Sequence, residues 1–298
     1  MSRPWRPPGG GRQSAKRLGH SILKIVFLFS AVLYAVLANA AEPVLEVAHH
    51  NQVRLYSRVE LLAHPALRTV EVPADVAYQR PMRFHAIPLP ALLPELGRTE
   101  SVKFAAADGF AATIPASLLK GDQDTRAWLA VEPAHAAWPA LKPGGPSAGP
   151  FYLVWTAPEK MGISPEQWPY QVVRIADSQP LALRFPQMLP QRARAADGPE
   201  WRGFQVFSVH CAACHQLNGG GDAALGPDLN RPFSPVEYFQ EPFLRRLIRD
   251  PAAVRSWPQR HMPGFSQQVL PDVALDDLLA YFRHMALQRE PQAALSKP

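Results

Sequence analysis

Residues 209–221 read "VHCAACHQLNGGG", and they hold both cysteines of a 298-residue chain, Cys211 and Cys214, with His215 directly after the second. Three chemistries use two thiols at this spacing beside an imidazole: a redox dithiol, a metal site and a covalent haem anchor. A thioredoxin-like dithiol follows a strand in a βαβ unit, and the residues around Cys211 suggest no such unit. A structural zinc site needs four ligands; two of His210, His215 and His261 could join the cysteines, but the spacing matches no standard finger. A c-type haem needs two thioethers to its vinyl groups and one axial base, and Cys-x-x-Cys-His supplies all three in five residues. The residues therefore favour one covalent haem c on Cys211 and Cys214 with His215 as the proximal iron ligand. Zinc and the dithiol stay as alternatives.

Haem iron that passes electrons without changing shape wants a second strong ligand. Downstream of His215 the thioethers are Met262 and Met285. Met285 falls on the apolar stripe of a helical pattern, where methionine usually packs. Met262 sits in "RHMPGF", a loop flanked by Pro and Gly, and is the expected distal ligand, with His261 as main competitor and His284 as a remote one.

The amino terminus sets the compartment. Residues 1–40 combine a basic, Pro/Gly-rich start, the apolar run "IVFLFSAVLYAVLANA" and an Ala-Asn-Ala end, the pattern of a secretory signal peptide cleaved after Ala40. Retained, the same segment would anchor the chain to a membrane. The formal charge of +6 does not suggest nucleic acid, because six of the 31 Lys and Arg lie in this leader, which has no acid. Beyond it, 25 basic residues face 25 acidic ones. The expected location is the periplasm.

From 43 to 186 the pattern is short β-rich runs bounded by Pro, Gly or Asp: "LRTVEVP", "MRFHAIPL", "AWLAVEP", "FYLVWT" and "YQVVRIA". In "VKFAAADGFAATIP", Asp108-Gly109 marks a hairpin. Short helices are expected at "SRVELLAH" and "LPALLPEL". This is an α+β, mainly-β domain. Residues 187–199 read as a linker, and 200–290 as a helical domain followed by a 291–298 tail. In "LDDLLAYFRHMALQ", Leu275, Leu278, Leu279, Phe282 and Met285 follow helical spacing and give one apolar stripe. His49-His50, His64, His85 and His135 could bind metal, but without clustering on one element they read as structural. "GGPSAG" reads as a turn.

The segment from about 196 to 290 resembles the class I c-type cytochromes. Gly203, Phe207 and Cys211 keep that family's spacing on its first helix, and Leu278 with Tyr281 matches the pair on its last. The resemblance implies an all-α fold. It also implies that the Pro227 carbonyl of "GPDL" accepts the His215 N–H, and that "MPGF" is the axial-methionine loop. The amino-terminal domain resembles the small bacterial sulfite-oxidase-like molybdopterin-binding domain, through "IPLPALLPEL", the Asp-Gly hairpin, "GPFYLVW" and "QWPYQVVRI". Competent members of that family hold molybdenum by a cysteine, which this domain lacks, so molybdopterin is not expected.

The leader and these resemblances together imply an exported monohaem c-type cytochrome, more an electron carrier than a catalyst. Its amino-terminal domain would serve as a partner-docking or ligand-binding module. The alternative is an oxidoreductase whose amino-terminal domain carries the substrate chemistry and whose haem relays electrons. Expected partners are a periplasmic or membrane redox protein and the haem attachment machinery.

Overall fold

The computed structural model describes residues 42–191, 195–255 and 262–289. The leader, His261 and the 291–298 tail lie outside the described residues. From Pro43 onward the described chain is one compact unit with two hydrophobic cores, the first under β-sheet and the second between helices. The amino-terminal part is sheet-rich α+β and the carboxy-terminal part is helical.

The chain enters through a hairpin of β1 (Val44–His49) and β2 (Gln52–Ser57), followed by α1 (Arg58–Leu62). Ser57 and Glu60 bond each other's backbone N–H groups and cap α1. Then come β3 (Arg68–Val72), β4 (Met82–Pro88), α2 (Leu89–Leu92), β5 (Ser101–Ala106), β6 (Ala111–Pro115) and α3 (Ala116–Lys120). The domain closes with β7 (Arg126–Val131), β8 (Phe151–Thr156) and β9 (Val172–Ser178). One sheet has the order β2-β1-β9-β5-β6, antiparallel except for the parallel β1/β9 pair; the other, β3-β4-β7-β8, is antiparallel throughout. Alternation turns Val102 and Phe104 of β5 inward, opposite Phe84 of β4 and Tyr152 of β8, in one shared core.

Two turns show how the hairpins close. Asp108-Gly109 forms the expected β5–β6 connection, with Gly109 at φ 93° and the Ala106 N–H on the Phe110 carbonyl at 2.9 Å. The β1–β2 turn uses His50 and Asn51, both left-handed at φ 47° and 61°. Such a pair matches the right-handed twist of the strands.

After the short α4 (Leu181–Arg184), the chain crosses to the helical half: α5 (Pro199–His210), α6 (Pro235–Tyr238), α7 (Glu241–Arg249), α8 (Pro251–Val254) and α9 (Asp272–Leu287). All five stripe residues of α9, and Tyr281 with them, are buried. At roughly 1.5–3 kcal/mol per large apolar side chain, this stripe is a main driving force for the helical core. The two long helices cross at Gly203, where an added Cβ would lie 2.6 Å from the Tyr281 Cβ and against the Asp277 carbonyl oxygen. Arg202 then grips Asp277 with two nitrogens at 2.7 and 2.8 Å.

The stretch between the halves also packs. Met188 is fully buried in the second core, and its carbonyl accepts from the Tyr281 hydroxyl at 2.6 Å.

Candidate haem site

Helix α5 delivers the cysteines. Its last turn continues past His210: the Cys211 and Ala212 N–H groups donate to the Phe207 carbonyl at 2.9 and 2.8 Å, and those of Cys214 and His215 to Cys211 at 3.0 and 2.8 Å. The five residues 211–215 are thus one hydrogen-bonded turn that carries both thiols and the imidazole.

The thiols are free and half-buried. Burial pushes the Cys211 thiol well up, and burial with Asp108 and Glu166 pushes Cys214 up to about 12. A redox dithiol needs a depressed thiol in an electropositive setting. This pair has the opposite environment, which does not favour the dithiol reading.

The Nδ1–H of His215 donates to the Pro227 carbonyl at 2.8 Å, as the resemblance implies. That bond fixes the tautomer and turns Nε2 away as the free ligand atom. Burial pulls the imidazole down from its ordinary value, outweighing the Pro227 carbonyl and Asp228, so the ring is neutral when it is needed as a base. Gly226 completes the cradle: a Cβ there would stand 2.5 Å from Cε1 and 2.6 Å from Nδ1 of the ring.

Polar side chains hold this loop in place. Asp228 accepts the N–H groups of Asn230 at 2.7 Å, Gly219 at 2.6 Å and Asn218 at 3.2 Å. The amide of the buried Asn230 donates to the Asn218 side chain at 2.8 Å and to the Met285 carbonyl at 2.7 Å, tying the loop to α9. Met262 is half-buried against the second core, while Met285 is buried inside it.

The β-rich half is built onto the same turn. The Ala111 N–H of β6 donates to the Ala213 carbonyl at 2.9 Å, and the Ala224 N–H donates to the Gly109 carbonyl at 3.0 Å. Ala212 packs in the second core and Ala213 in the first. Asp222 takes Lys103 of β5 at 2.9 Å and Arg184 of α4 at 2.7 Å, and Arg184 reaches the Thr113 hydroxyl at 3.0 Å. His210 meets Glu166 of the β-rich half at 2.8 Å, both mostly buried. Beside this seam lies a cavity of about 310 Å³, lined by Ile114, Leu118, Leu181, Phe204 and Ala212 among others.

Sequence reasoning named Cys211, Cys214, His215 and Pro227 as candidates. It missed Gly226, Asp228, Asn230 and the Asp222 and Glu166 pairs; "GPDLN" carried a signal for the first three, whereas Lys103 and Glu166 come from far along the chain.

The residues fit a covalently held haem: two adjacent thiols kept out of ion pairs, and a neutral, oriented imidazole in a cradle with no room for a Cβ. Bound there, haem c supplies a one-electron iron couple. A search of curated proteins returns no match. Residues 201–286 do match the family model for cytochrome c, a span that contains the turn, the Pro227 loop and Met262. The carboxy-terminal part of this chain is a c-type cytochrome domain, and with it the protein is an electron-transfer haem protein.

Proposed function

We propose that the chain is an exported monohaem cytochrome that passes single electrons in a periplasmic redox chain, with thioethers at Cys211 and Cys214 and His215 and Met262 as axial ligands. The observation that carries this reading is the His215–Pro227 bond at 2.8 Å directly after the two thiols. Met262 supports the distal role because it is a loop methionine on the helical core, whereas Met285 is committed to packing within α9. Pro227 acts through His215 by fixing its ring. The single Cys-x-x-Cys-His in the chain argues for one haem.

The β-rich half serves as a partner-docking or ligand-binding module held firmly on the haem turn. Its bonds to Ala213 and Ala224, and the cavity on the seam, support that role. The absence of any cysteine in this half argues against molybdenum held in the manner of the sulfite-oxidase family. The basic, apolar leader ending in Ala-Asn-Ala supports export to the periplasm, where a soluble or membrane redox partner would meet the protein and the haem attachment machinery would mature it.

The test is expression with haem attachment machinery, followed by mass measurement and a redox titration of the visible spectrum. One covalent haem and a reversible one-electron wave are expected. A colourless protein at the mass of its amino acids overturns the reading, and two haems overturn its monohaem part. Molybdenum in stoichiometric amount would replace the docking role with substrate chemistry.

A further inference from the structure

We propose that His49, His50 and Asp177 form a second metal site, in the β-rich half, for a divalent ion of the zinc type. It does not depend on the haem reading. β1 ends in His49-His50 at the hairpin turn, and β9, its parallel neighbour, brings Asp177 alongside from 128 positions away. One ligand atom from each of the three residues falls within a set no wider than 4.8 Å.

The hydrogen bonds are those of a ligand set. His49 is nearly buried; its Nε2 meets the Pro94 carbonyl at 2.5 Å, and its Nδ1 faces Asp177 Oδ1 at 2.6 Å. A backbone carbonyl accepts only, so Nε2 carries a proton and Nδ1 is directed at the carboxylate. That arrangement, in which the outer nitrogen is fixed by a carbonyl and the inner one points at a shared centre, is how ligating histidines are oriented. At 2.6 Å, Nδ1 and Oδ1 are hydrogen-bonded, and a cation would take the place of that hydrogen bond with the pair opening to roughly 3.3 Å.

His50 Nδ1 stands 3.7 Å from Asp177 Oδ2, too far for a hydrogen bond. Two ligand atoms on bonds of ~2 Å to one tetrahedral ion stand roughly 3.3 Å apart, so the gap suits an ion between them. The two imidazoles lie against each other with centroids 3.9 Å apart and planes tilted by 34°. Asp177 is itself oriented, by the His50 N–H at 2.7 Å and the Thr99 hydroxyl at 3.2 Å. Both His50 and Asp177 are about 30 % exposed, leaving room for water as a fourth ligand. Two imidazoles and one carboxylate select zinc-type ions over magnesium or calcium, which prefer all-oxygen shells.

The experiment is calorimetric titration of the haem-loaded, metal-stripped full chain, without a histidine tag, with Zn²⁺, and separately with Mg²⁺ and Ca²⁺. One saturable equivalent of Zn²⁺ is expected, with no comparable binding of the other two. His50→Asn keeps a residue that tolerates the left-handed turn and leaves the backbone bond to Asp177 intact. It should weaken Zn²⁺ binding by about 100-fold or more, as should Asp177→Asn. Circular dichroism reports whether each variant is folded; should Asp177→Asn misfold, His50→Asn decides alone. No saturable equivalent, equal binding of Mg²⁺, or Zn²⁺ binding indifferent to His50→Asn overturns the proposal and leaves a proton-bridged His49–Asp177 pair.

Discussion

The N–H of Ala111, in the edge strand β6, bonds the carbonyl of Ala213, which lies between the two haem-motif cysteines, at 2.9 Å. An edge strand exposes unpaired backbone groups, and here one of them is satisfied by the haem turn itself. The β-rich half is therefore part of the wall that positions Cys211–His215, and it cannot swing away without breaking that bond and the Asp222 ion pairs.

The helix crossing at Gly203 gives the first prediction. An alanine Cβ would meet the Tyr281 Cβ at 2.6 Å and the Asp277 backbone, neither of which can turn aside. Gly203→Ala should cost about 3 kcal/mol, seen as a lower midpoint in denaturant unfolding followed by circular dichroism. A midpoint unchanged within error would mean that the helices are not in close contact.

Gly226→Ala tests the cradle. The new methyl group would press on Cε1 and Nδ1 of His215 and break its alignment with the Pro227 carbonyl. Covalent haem per chain, measured from the pyridine haemochrome, should fall severalfold while the β-rich half stays folded. Normal haem content with an unshifted potential would count against this placement of the ring.

Met262→Ala should open the sixth position, lower the potential and let carbon monoxide bind the ferrous protein. Met285→Ala should instead lower stability by about 2–5 kcal/mol through a cavity in α9, with the ligation spectrum unchanged. The reverse pattern would move the distal ligand onto the last helix.

Asp222 makes the seam sensitive to acid. Burial pushes its carboxyl up, but Arg184 and Lys103 outweigh that and hold it below the usual range. A carboxyl whose folded value lies below its unfolded value of ~3.9 stabilises fully above about pH 5 and loses that contribution as pH falls through the folded value. Asp222→Asn should therefore cost about 2 kcal/mol at pH 7 and progressively less towards pH 3, in urea unfolding at each pH. A cost that does not shrink would show that the pairs contribute nothing through charge.

The local features were readable from the residues alone. Leu275 to Met285 announced α9 by spacing, Asp108-Gly109 announced its hairpin, and the cysteines with His215 announced the site. What stayed hidden depends on distance along the chain or on unusual turn chemistry. β1 and β2 were not expected as a hairpin because His50-Asn51 contains no glycine, although both residues take positive φ. Asp177 lies 128 positions from His49, so no local pattern joins them, and the same holds for Lys103 and Asp222. Among the described residues of 187–199, Met188 and Leu189 pack on the second core as neighbours rather than at a helical spacing, so no period shows. The resemblance of the amino-terminal half rests on diffuse motifs, and these do not specify which surface meets the haem domain.

Ala212 faces one core and Ala213 the other, so the dipeptide between the thiols is sealed from both sides once the chain is folded. The half that packs on Ala213 is also the first to be synthesised, so a sheet already made upstream stands ready to close on this dipeptide as soon as it emerges.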